Sequence, residues 1–323
     1  MPSKSQPLTV QSAELREVQR ILARERLSLD DPAEERTCFF SHVGAQRKLT
    51  PCAWVGHRDL VYAMALANLN PIQRHALANA VLIEHEREFG IGRLQLRAVS
   101  SGLPLGGSSL ELRQRTGGPR CLYTWALGAE PVPVQCDWLL LRAQAGWALE
   151  HRPKQLSAMG LSTLVALGGE VVVLVSSAVA ALQVARLCAS KLSIAAHPRF
   201  SPYIEGLQPE APVLLWPHDA LDGAGLRRRE IAAVALVGAP EPIRQEAVRW
   251  QTRRASRGPV EVVESTCPGR IDREGLARFW NACGRPRILL RGDPQWASSG
   301  AAWLQSLGAT VEVQGQATQL SLL

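Results

Sequence analysis

Residues 170–191, EVVVLVSSAVAALQVARLCASK, decide the fold prediction because they join a strand pattern directly to a helix pattern. The apolar run 171–175 is typical of a strand that is buried on both faces. Residues 178–191 have the length and the apolar spacing of a helix, and two serines, Ser176 and Ser177, separate the two patterns. The segment therefore predicts one strand–helix unit of a parallel sheet.

The same alternation continues toward the end of the chain and sets the predicted architecture. Strands that alternate with helices of this length predict an α/β fold with a doubly wound, mostly parallel sheet that helices cover on both faces. Such sheets bind ligands at the carboxyl ends of their strands, so we expect chemistry in the loops after Val175, Trp216, Val237 and Leu290. The predicted strands are 171–175, 213–216, 232–237, 260–263, 288–290 and 311–313, and the helices are 178–191, 240–254, 273–283 and 296–307.

Residues 1–150 follow a different pattern and predict an N-terminal α+β region. Apolar spacing predicts a helix over 9–29 and a helical hairpin over 57–68 and 71–89, in which Pro71 suits a first helical turn. We divide the chain into this region, a second domain over 151–315 and a tail over 316–323. Four segments that are broken by Gly or Pro predict a small antiparallel sheet: 93–99, 109–115, 121–127 and 132–141.

The composition is that of a globular protein with a basic, arginine-rich surface. The 323 residues are 46% hydrophobic and 20% charged, which excludes a disordered chain and collagen. The formal net charge is +7, and only four of the 36 basic residues are lysines, so 32 are arginines. Because a guanidinium binds phosphate in a bidentate way, this favours a polyanion or nucleotide partner. A GC-rich coding sequence would produce the same arginine bias.

Cysteine usage and the first residues predict a reduced, cytoplasmic protein. The seven cysteines are an odd number without a regular spacing, and residues 1–11 lack the apolar core of a signal peptide. The charge-poor stretch 156–185 has the length of a membrane span, but Gly168, Gly169 and Glu170 divide it into two short halves. We therefore predict no membrane partner.

Three segments of the second domain follow one another in the order of known helicase motifs. Residues 169–177 (GEVVVLVSS) are a strand that ends in hydroxyl residues, 213–226 (VLLWPHDALDGAGL) lead into a loop with Asp and Gly, and 250–258 (WQTRRASRG) supply arginines. Over about residues 168–264, the chain resembles motifs IV, V and VI of the second RecA-like domain of superfamily 2 helicases. The resemblance implies a RecA-like fold and places Arg254 and Arg257 where arginines reach a nucleotide.

The sequence departs from that family where ATP hydrolysis requires it. An NTPase needs a glycine loop whose lysine reaches the phosphates. Residues 102–109 (GLPLGGSS) have the glycine spacing, but Ser108 stands in the lysine position and a strand pattern follows, so we interpret them as a turn. In the motifs, Gln251 and Arg253 replace Arg and Gly. We therefore expect a catalytically inactive module and assign no catalytic residue, metal ligand or cofactor.

A stripe of arginines is the predicted contact for DNA phosphates. Arg249, Arg253 and Arg257 are four residues apart and share a helix face. Arg254 is adjacent, and Arg228 lies in a nearby loop. The alternative is a solvated face on which these arginines pair with glutamates of the same helix, namely Glu241 and Glu246.

The last five residues, Gln319, Leu320, Ser321, Leu322 and Leu323, resemble the pentapeptide with which bacterial proteins bind the sliding clamp. In that motif Gln, Leu, Ser or Asp, Leu and Phe occur in this order, and only the final aromatic is replaced here. Such a peptide binds in an extended form, with its apolar side chains in a preformed groove. A frayed terminus, or a last strand that packs on its own sheet, is the alternative.

Four residues of the N-terminal region, Cys38, His42, Cys52 and His57, are of the types that form a closed zinc site. Their spacing matches no standard zinc finger, so isolated buried side chains remain the alternative. Cys267 and Cys283 lie in turn sequences. They could form a redox pair, and the alternative is that both are small buried side chains.

Together these features predict a bacterial accessory protein of DNA replication or repair. The sliding clamp would recruit it to DNA, and a polymerase or another repair protein would be a further partner. Two alternatives remain open. In the first, the chain is an ATPase subunit that a partner's P-loop completes, with Arg254 and Arg257 acting in trans. In the second, it is a RecA-like accessory factor of a translesion polymerase and binds protein alone.

Overall fold

The computed structural model of the protein describes residues 13–31, 35–43, 52–66, 70–143, 155–221, 224–227, 229–239, 241–254, 259–292 and 294–314. The helices in these ranges are α1 (Ala13–Arg24), α2 (Arg58–Ala65), α3 (Pro71–Ala78), α4 (Ala158–Val165), α5 (Ala178–Cys188), α6 (Ala224–Arg227), α7 (Glu241–Arg254), α8 (Arg273–Ala282) and α9 (Pro294–Ser306). The strands are β1 (Leu27–Leu29), β2 (Thr37–Phe40), β3 (Ala53–His57), β4 (Val81–Ile83), β5 (Glu88–Ile91), β6 (Leu94–Ser100), β7 (Ser108–Gln114), β8 (Cys121–Thr124), β9 (Trp138–Arg142), β10 (Glu170–Val175), β11 (Ile194–Ala196), β12 (Val213–Pro217), β13 (Ile231–Val237), β14 (Glu261–Ser265), β15 (Arg287–Arg291) and β16 (Val311–Val313).

A five-stranded parallel sheet with the order β11-β12-β10-β13-β14 forms the doubly wound part of the molecule. Alternate residues of β10 face opposite sides. Val173 packs in a cluster with α4 and α5, whereas Val172 packs in a cluster with α6 and α7. Burial on both faces explains the unbroken apolar run of this strand. The predicted α/β class, with a doubly wound and mostly parallel sheet, is confirmed.

A seven-stranded mixed sheet has the order β16-β15-β9-β8-β7-β6-β5. As predicted, β6, β7 and β8 are antiparallel, while β9 joins β8 in parallel. Strands β15 and β16 were expected in the doubly wound sheet, and this prediction is wrong, because they extend the seven-stranded sheet beyond β9. Leu289 of β15 pairs with Leu140 and is fully buried against it. Alternation predicts that a strand exists, but only packing decides which sheet receives it.

A four-stranded parallel sheet, with the order β1-β2-β3-β4, lies in the region where only helices were predicted. The helix predicted over 9–29 ends at Arg24, and Arg26 adopts a positive φ of 50° before β1 begins. The predicted helical hairpin exists as α2 and α3, and the Asn70 and Gln73 side chains form a capping box at the start of α3. It is shorter than expected, because 81–83 and 88–91 are strands.

Four hydrophobic clusters order these elements into layers. Helices α8 and α9 cover one face of the seven-stranded sheet, and the four-stranded sheet with α1 packs on its other face. The remaining face of the four-stranded sheet, with α2 and α3, shares a cluster with α4 and α5 of the doubly wound sheet. Among the described helices, none combines the length and the apolar character that crossing a bilayer would require.

The predicted domain boundary near residue 150 falls in 144–154, and the predicted tail 316–323 follows residue 314, so both lie outside the described residues. Strands from the two sides of that boundary pair directly, since Leu139 of β9 is the register partner of Ile288 of β15. The division into 1–150 and 151–315 stays a prediction.

Candidate functional site

Two members of the predicted arginine stripe, Arg249 and Arg253, lie on α7, and a glutamate lies between them and the start of the helix. Arg249 Nη2 is 2.9 Å from one carboxylate oxygen of Glu246, and Arg253 Nη2 is 2.8 Å from the other. Both arginine side chains stay more than half exposed, at 66% and 55%. Of the glutamates proposed as alternative partners, Glu241 pairs instead with Arg244 at 2.6 Å. Two exposed guanidinium groups thus share one carboxylate.

Arg254 has a different role from its neighbours. Its Nη1 donates to the carbonyl of Leu226 at 2.8 Å and its Nη2 to the carbonyl of Arg229 at 2.5 Å. Its guanidinium carbon lies 4.7 Å from the ring centroid of Trp250, which is buried. Main-chain carbonyls thus engage two of the five N–H donors of Arg254, which ties the end of α7 to α6 and to Arg229. Its predicted phosphate contact stays a prediction.

Several predicted site residues lie outside the described part of the chain. Arg228 and Arg257 of the stripe are among them, as is the whole candidate clamp-binding peptide, Gln319, Leu320, Ser321, Leu322 and Leu323. Their roles stay predictions.

The carboxyl edge of the doubly wound sheet has its switch point between β10 and β13, because the helices that follow these strands lie on opposite faces. His218 follows β12 and reaches this point, with its Nε2 3.2 Å from the carbonyl oxygen of Leu174 and a hydrogen bond to the main chain of Val237. Burial lowers the pKa of His218, although both hydrogen bonds oppose the shift. A neutral imidazole therefore contacts the position at which such sheets usually bind a ligand.

Trp216, near the end of β12, organises the loop that follows this strand. Trp216 Nε1 donates to the carbonyl of Ala220 at 2.8 Å, and the ring of His197 packs edge-on at 4.6 Å. A Cβ atom on Gly225 would lie 2.8 Å from the Trp216 ring, so only glycine fits there without a shift. The tryptophan thus has a packing function.

The glycine-rich run 102–109 connects the antiparallel strands β6 and β7 as the predicted turn. Leu105 has a positive φ of 58° and Gly106 one of 70°. No helix follows it before β8, whereas a phosphate-binding loop opens one.

The zinc ligand set is not assembled. The thiols of Cys38 and Cys52 share a hydrogen bond, whereas His42 bonds to Ser41 Oγ at 2.9 Å and His57 packs against His85. In the described ranges, no three His, Cys, Asp or Glu side chains are grouped so as to hold a metal ion.

The proposed redox pair is separated as well. Cys283 contacts Cys136, while Cys267 Sγ lies 3.3 Å from Gln183 Oε1.

Sequence reasoning missed a cluster of charged residues at the carboxyl edge of the seven-stranded sheet. Strands β9 and β15 end in Arg142 and Arg291, which are register partners. The guanidinium carbon of Arg142 lies 4.6 Å from the ring centroid of Trp125, directly after β8. The signal was present in the sequence, since WLLLR and RILLR are both apolar strands that end in arginine. We call Trp125, Arg142, Arg270 and Arg291 the carboxyl-edge cluster.

A buried carboxylate, Asp30, faces this cluster from the end of β1. Ser41 N donates to its Oδ1 at 2.7 Å, and the hydroxyl of Tyr123 donates to its Oδ2 at 2.7 Å. Burial raises the pKa of Asp30 to about 6, and these hydrogen bonds and the charge of Arg142 oppose the rise.

Arg270 approaches the same region from the loop after β14, beside His42. Burial lowers the pKa of His42 to about 3, and the charges of Arg270 and Arg142 lower it further. His42 is therefore neutral at pH 7, and it adds no charge to the cluster.

No protein-family model matches the chain, and no curated protein is significantly similar to it. One solved structure with a similar fold is a crystal structure of a protein from Enterococcus faecalis V583 that is described as having unknown function. The alignment has 12% sequence identity and a TM-score of 0.49, and it covers 81% of this chain and 77% of that chain. A likeness at this level carries no functional argument.

Proposed function

We propose that this protein is an accessory factor of DNA replication or repair, a catalytically inactive helicase-like module that the sliding clamp recruits to DNA in the cytoplasm. The observation that carries the DNA-binding part is the exposure of Arg249 and Arg253 on α7. Arg254 anchors the end of this helix by bonding to the carbonyls of Leu226 and Arg229. The Arg229 side chain itself pairs with Glu170, so the proposed phosphate contacts are those of α7.

The charge on this surface suits a phosphate backbone. Arg249 and Arg253 share the carboxylate of Glu246, and both guanidinium groups stay more than half exposed to solvent. A phosphate that approaches the two guanidinium groups replaces an exposed ion pair, which contributes little to stability in water. We call Arg249 and Arg253 the α7 surface.

Two observations support a module that does not hydrolyse ATP. The glycine-rich run is a hairpin connection rather than a strand-to-helix phosphate loop, and it has serine in the lysine position. At the switch point of the doubly wound sheet, His218 hydrogen-bonds to the ends of β10 and β13. Neither arrangement supplies the cation that a nucleoside triphosphate requires.

Recruitment rests on the pentapeptide 319–323. The preceding strand, β16, is the edge strand of the seven-stranded sheet and ends at Val313. A tethered factor meets its DNA at an effective concentration in the millimolar range, so a weak α7 surface is sufficient. A polymerase or another repair protein bound to the same clamp is the further partner that we propose. The seven cysteines all lie in the described part of the chain and form no disulfide there, which is typical of the cytoplasm.

Changing Arg249 and Arg253 together to glutamine is expected to weaken DNA binding and to reduce its salt dependence. Each phosphate that a protein neutralises contributes about 0.9 to the negative slope of log K against log salt for duplex DNA, and about 0.7 for single strands. Loss of two contacts should therefore flatten the slope by about 1.4 to 1.8. The measurement is a filter-binding titration of one oligonucleotide over a range of salt concentrations.

The matched control replaces two exposed arginines of α1, Arg20 and Arg24, by glutamine. These also pair with glutamates, Glu17 at 3.8 Å and Glu25 at 3.2 Å, so the charge change is the same. Its salt slope should equal that of the unchanged protein. Equal salt slopes for all three proteins would show that the α7 surface does not contact DNA phosphates. Absence of DNA binding by the unchanged chain would favour a factor that binds protein alone.

A further inference from the structure

The carboxyl-edge cluster arises from strand register between distant parts of the chain. Arg142 and Arg291 are partners across the parallel strands β9 and β15, at the position where both strands end. Side chains alternate along a strand, so each arginine lies on the same face as the leucine two residues before it. Those leucines, Leu140 and Leu289, pack toward the four-stranded sheet. Both guanidinium groups thus project from the carboxyl edge on the inner face of the sheet.

Two arginines of the cluster, Arg270 and Arg291, each have a buried donor without a partner in the described part of the chain. The structure records no ion pair for Arg291 or Arg270 within the described ranges. The Nε of Arg291 and the Nη1 of Arg270 are buried there without a hydrogen-bond partner. Buried donors of this kind are rare in proteins, because their desolvation is otherwise uncompensated. Such donors are satisfied when an anion binds.

The nearby acids do not take the place of that anion. Asp30 already accepts one hydrogen bond at each carboxylate oxygen, from Ser41 N and from the Tyr123 hydroxyl. Asp31 keeps an exposed surface, but partial burial of its carboxyl group raises its pKa, and the charges of Arg36 and Arg291 oppose the rise. Neither carboxylate is recorded as accepting from the two unpartnered donors, Arg291 Nε and Arg270 Nη1, within the described residues.

We propose that the carboxyl-edge cluster is a binding site for a phosphate monoester, with Arg142 and Arg291 as its principal ligands, Arg270 as a third donor and Trp125 as the wall. The carboxyl edge of parallel strands is where α/β sheets bind ligands. A phosphate dianion matches this set because its oxygens point in several directions and accept hydrogen bonds from more than one guanidinium at once. Arg142 is exposed, which leaves the site open to solvent on its side.

The phosphate can come from two sources, a free nucleotide or the phosphorylated 5′ end of a DNA strand. The site is independent of the α7 surface, which lies on the opposite side of the doubly wound sheet from α4 and α5. It therefore does not depend on the function proposed above. Binding of a monophosphate would persist in the Arg249→Gln/Arg253→Gln variant.

Calorimetric titration of the full chain at constant ionic strength tests the site. The probes are inorganic phosphate, a nucleoside 5′-monophosphate, and one short oligonucleotide with either a 5′-phosphate or a 5′-hydroxyl group. We expect inorganic phosphate to bind with a Kd on the order of 1 mM or below. Tighter binding of the nucleotide would assign the free ligand. Preference for the phosphorylated oligonucleotide over its hydroxyl form would assign the DNA end.

Arg291→Gln and Arg142→Gln should each raise the Kd for inorganic phosphate about tenfold or more, since each removes a charged donor. Arg287→Gln, at the opposite end of β15, is the matched control and should change it less than about twofold. Arg142 is exposed, so its variant is expected to fold even if the Arg291 variant does not. Absence of phosphate binding by the unchanged protein, or equal binding by the Arg142 variant, would overturn the proposal.

Discussion

Replacing Asp30 by asparagine is expected to stabilise the protein at neutral pH and to change the pH dependence of its stability. Burial raises the pKa of Asp30 from 3.8 to about 6. Between these values the folded state binds a proton that the unfolded state releases, so the free energy of unfolding falls as the pH rises through this window. Above it, the ionised carboxylate destabilises the fold by about 3 kcal/mol.

Asparagine fits the same position without the charge. Its Oδ1 can accept from Ser41 N, and its amide can donate to the Tyr123 oxygen, whose hydroxyl then donates to the Leu29 carbonyl at 3.4 Å. Asp30 has a positive φ of 56°, which asparagine tolerates as well as aspartate does.

The measurement is urea unfolding at several pH values between 4 and 8. We expect the Asp30→Asn variant to lack the decrease in stability between about pH 4 and 6, and to exceed the unchanged protein by up to about 3 kcal/mol at pH 7. Asp272→Asn is the matched control, because asparagine preserves the N-cap of α8. The same loss of stability with rising pH in both variants would show that Asp30 is not the group responsible.

Truncating Leu289 to alanine is expected to destabilise the seven-stranded sheet by about 2 to 5 kcal/mol, because it leaves a cavity between β15 and the four-stranded sheet. The loss should appear in the N-terminal region of the sequence, since Leu289 pairs with Leu140 of β9 and Leu140 with Tyr123 of β8. Hydrogen exchange of amides in β8 and β9 is the measurement, together with urea unfolding.

The control for this prediction is Leu307→Ala, at a leucine that is 43% exposed just after α9. It should change stability by less than about 0.5 kcal/mol. If Leu289→Ala left the amides of β8 and β9 as protected as before, the assignment of β15 to this sheet would be contradicted.

The strands of the doubly wound sheet could be predicted because a strand that is buried on both faces has an unbroken run of apolar residues. The strand predicted at 213–216 is β12, Val213–Pro217, and that at 232–237 is β13, Ile231–Val237. Strand partners could not be predicted in the same way. The runs that became β10 and β15 are both short, apolar and followed by a helix, and only tertiary packing separates them into different sheets.

The short strands of the N-terminal region were missed for a related reason. Strand β1 has three residues and β2 has four, too few for alternation to be distinguished from the end of a helix. Pro71, in contrast, is a local signal, and the start of α3 was predicted from it.

Among the candidate site residues, those that local spacing brings together could be predicted, and those that tertiary contacts bring together could not. Arg249 and Arg253 could be placed on one helix face, because helical spacing alone brings them together. The hydrogen bonds of Arg254 depend on the carbonyls of Leu226 and Arg229, which helical spacing does not reveal. Arg142 and Arg291 are far apart in the sequence, and only the register of β9 with β15 makes them neighbours.

Binding of the full-length chain to an immobilised bacterial sliding clamp tests the proposed recruitment most directly. We compare the unchanged protein with a Leu320→Ala/Leu322→Ala variant and with Thr318→Ala, a control just outside the pentapeptide. The account predicts that the unchanged protein and the Thr318 variant bind equally and that the double variant binds at least about tenfold more weakly, because it loses two apolar anchors of the peptide. Equal binding of all three proteins, or no binding by any of them, would contradict the account.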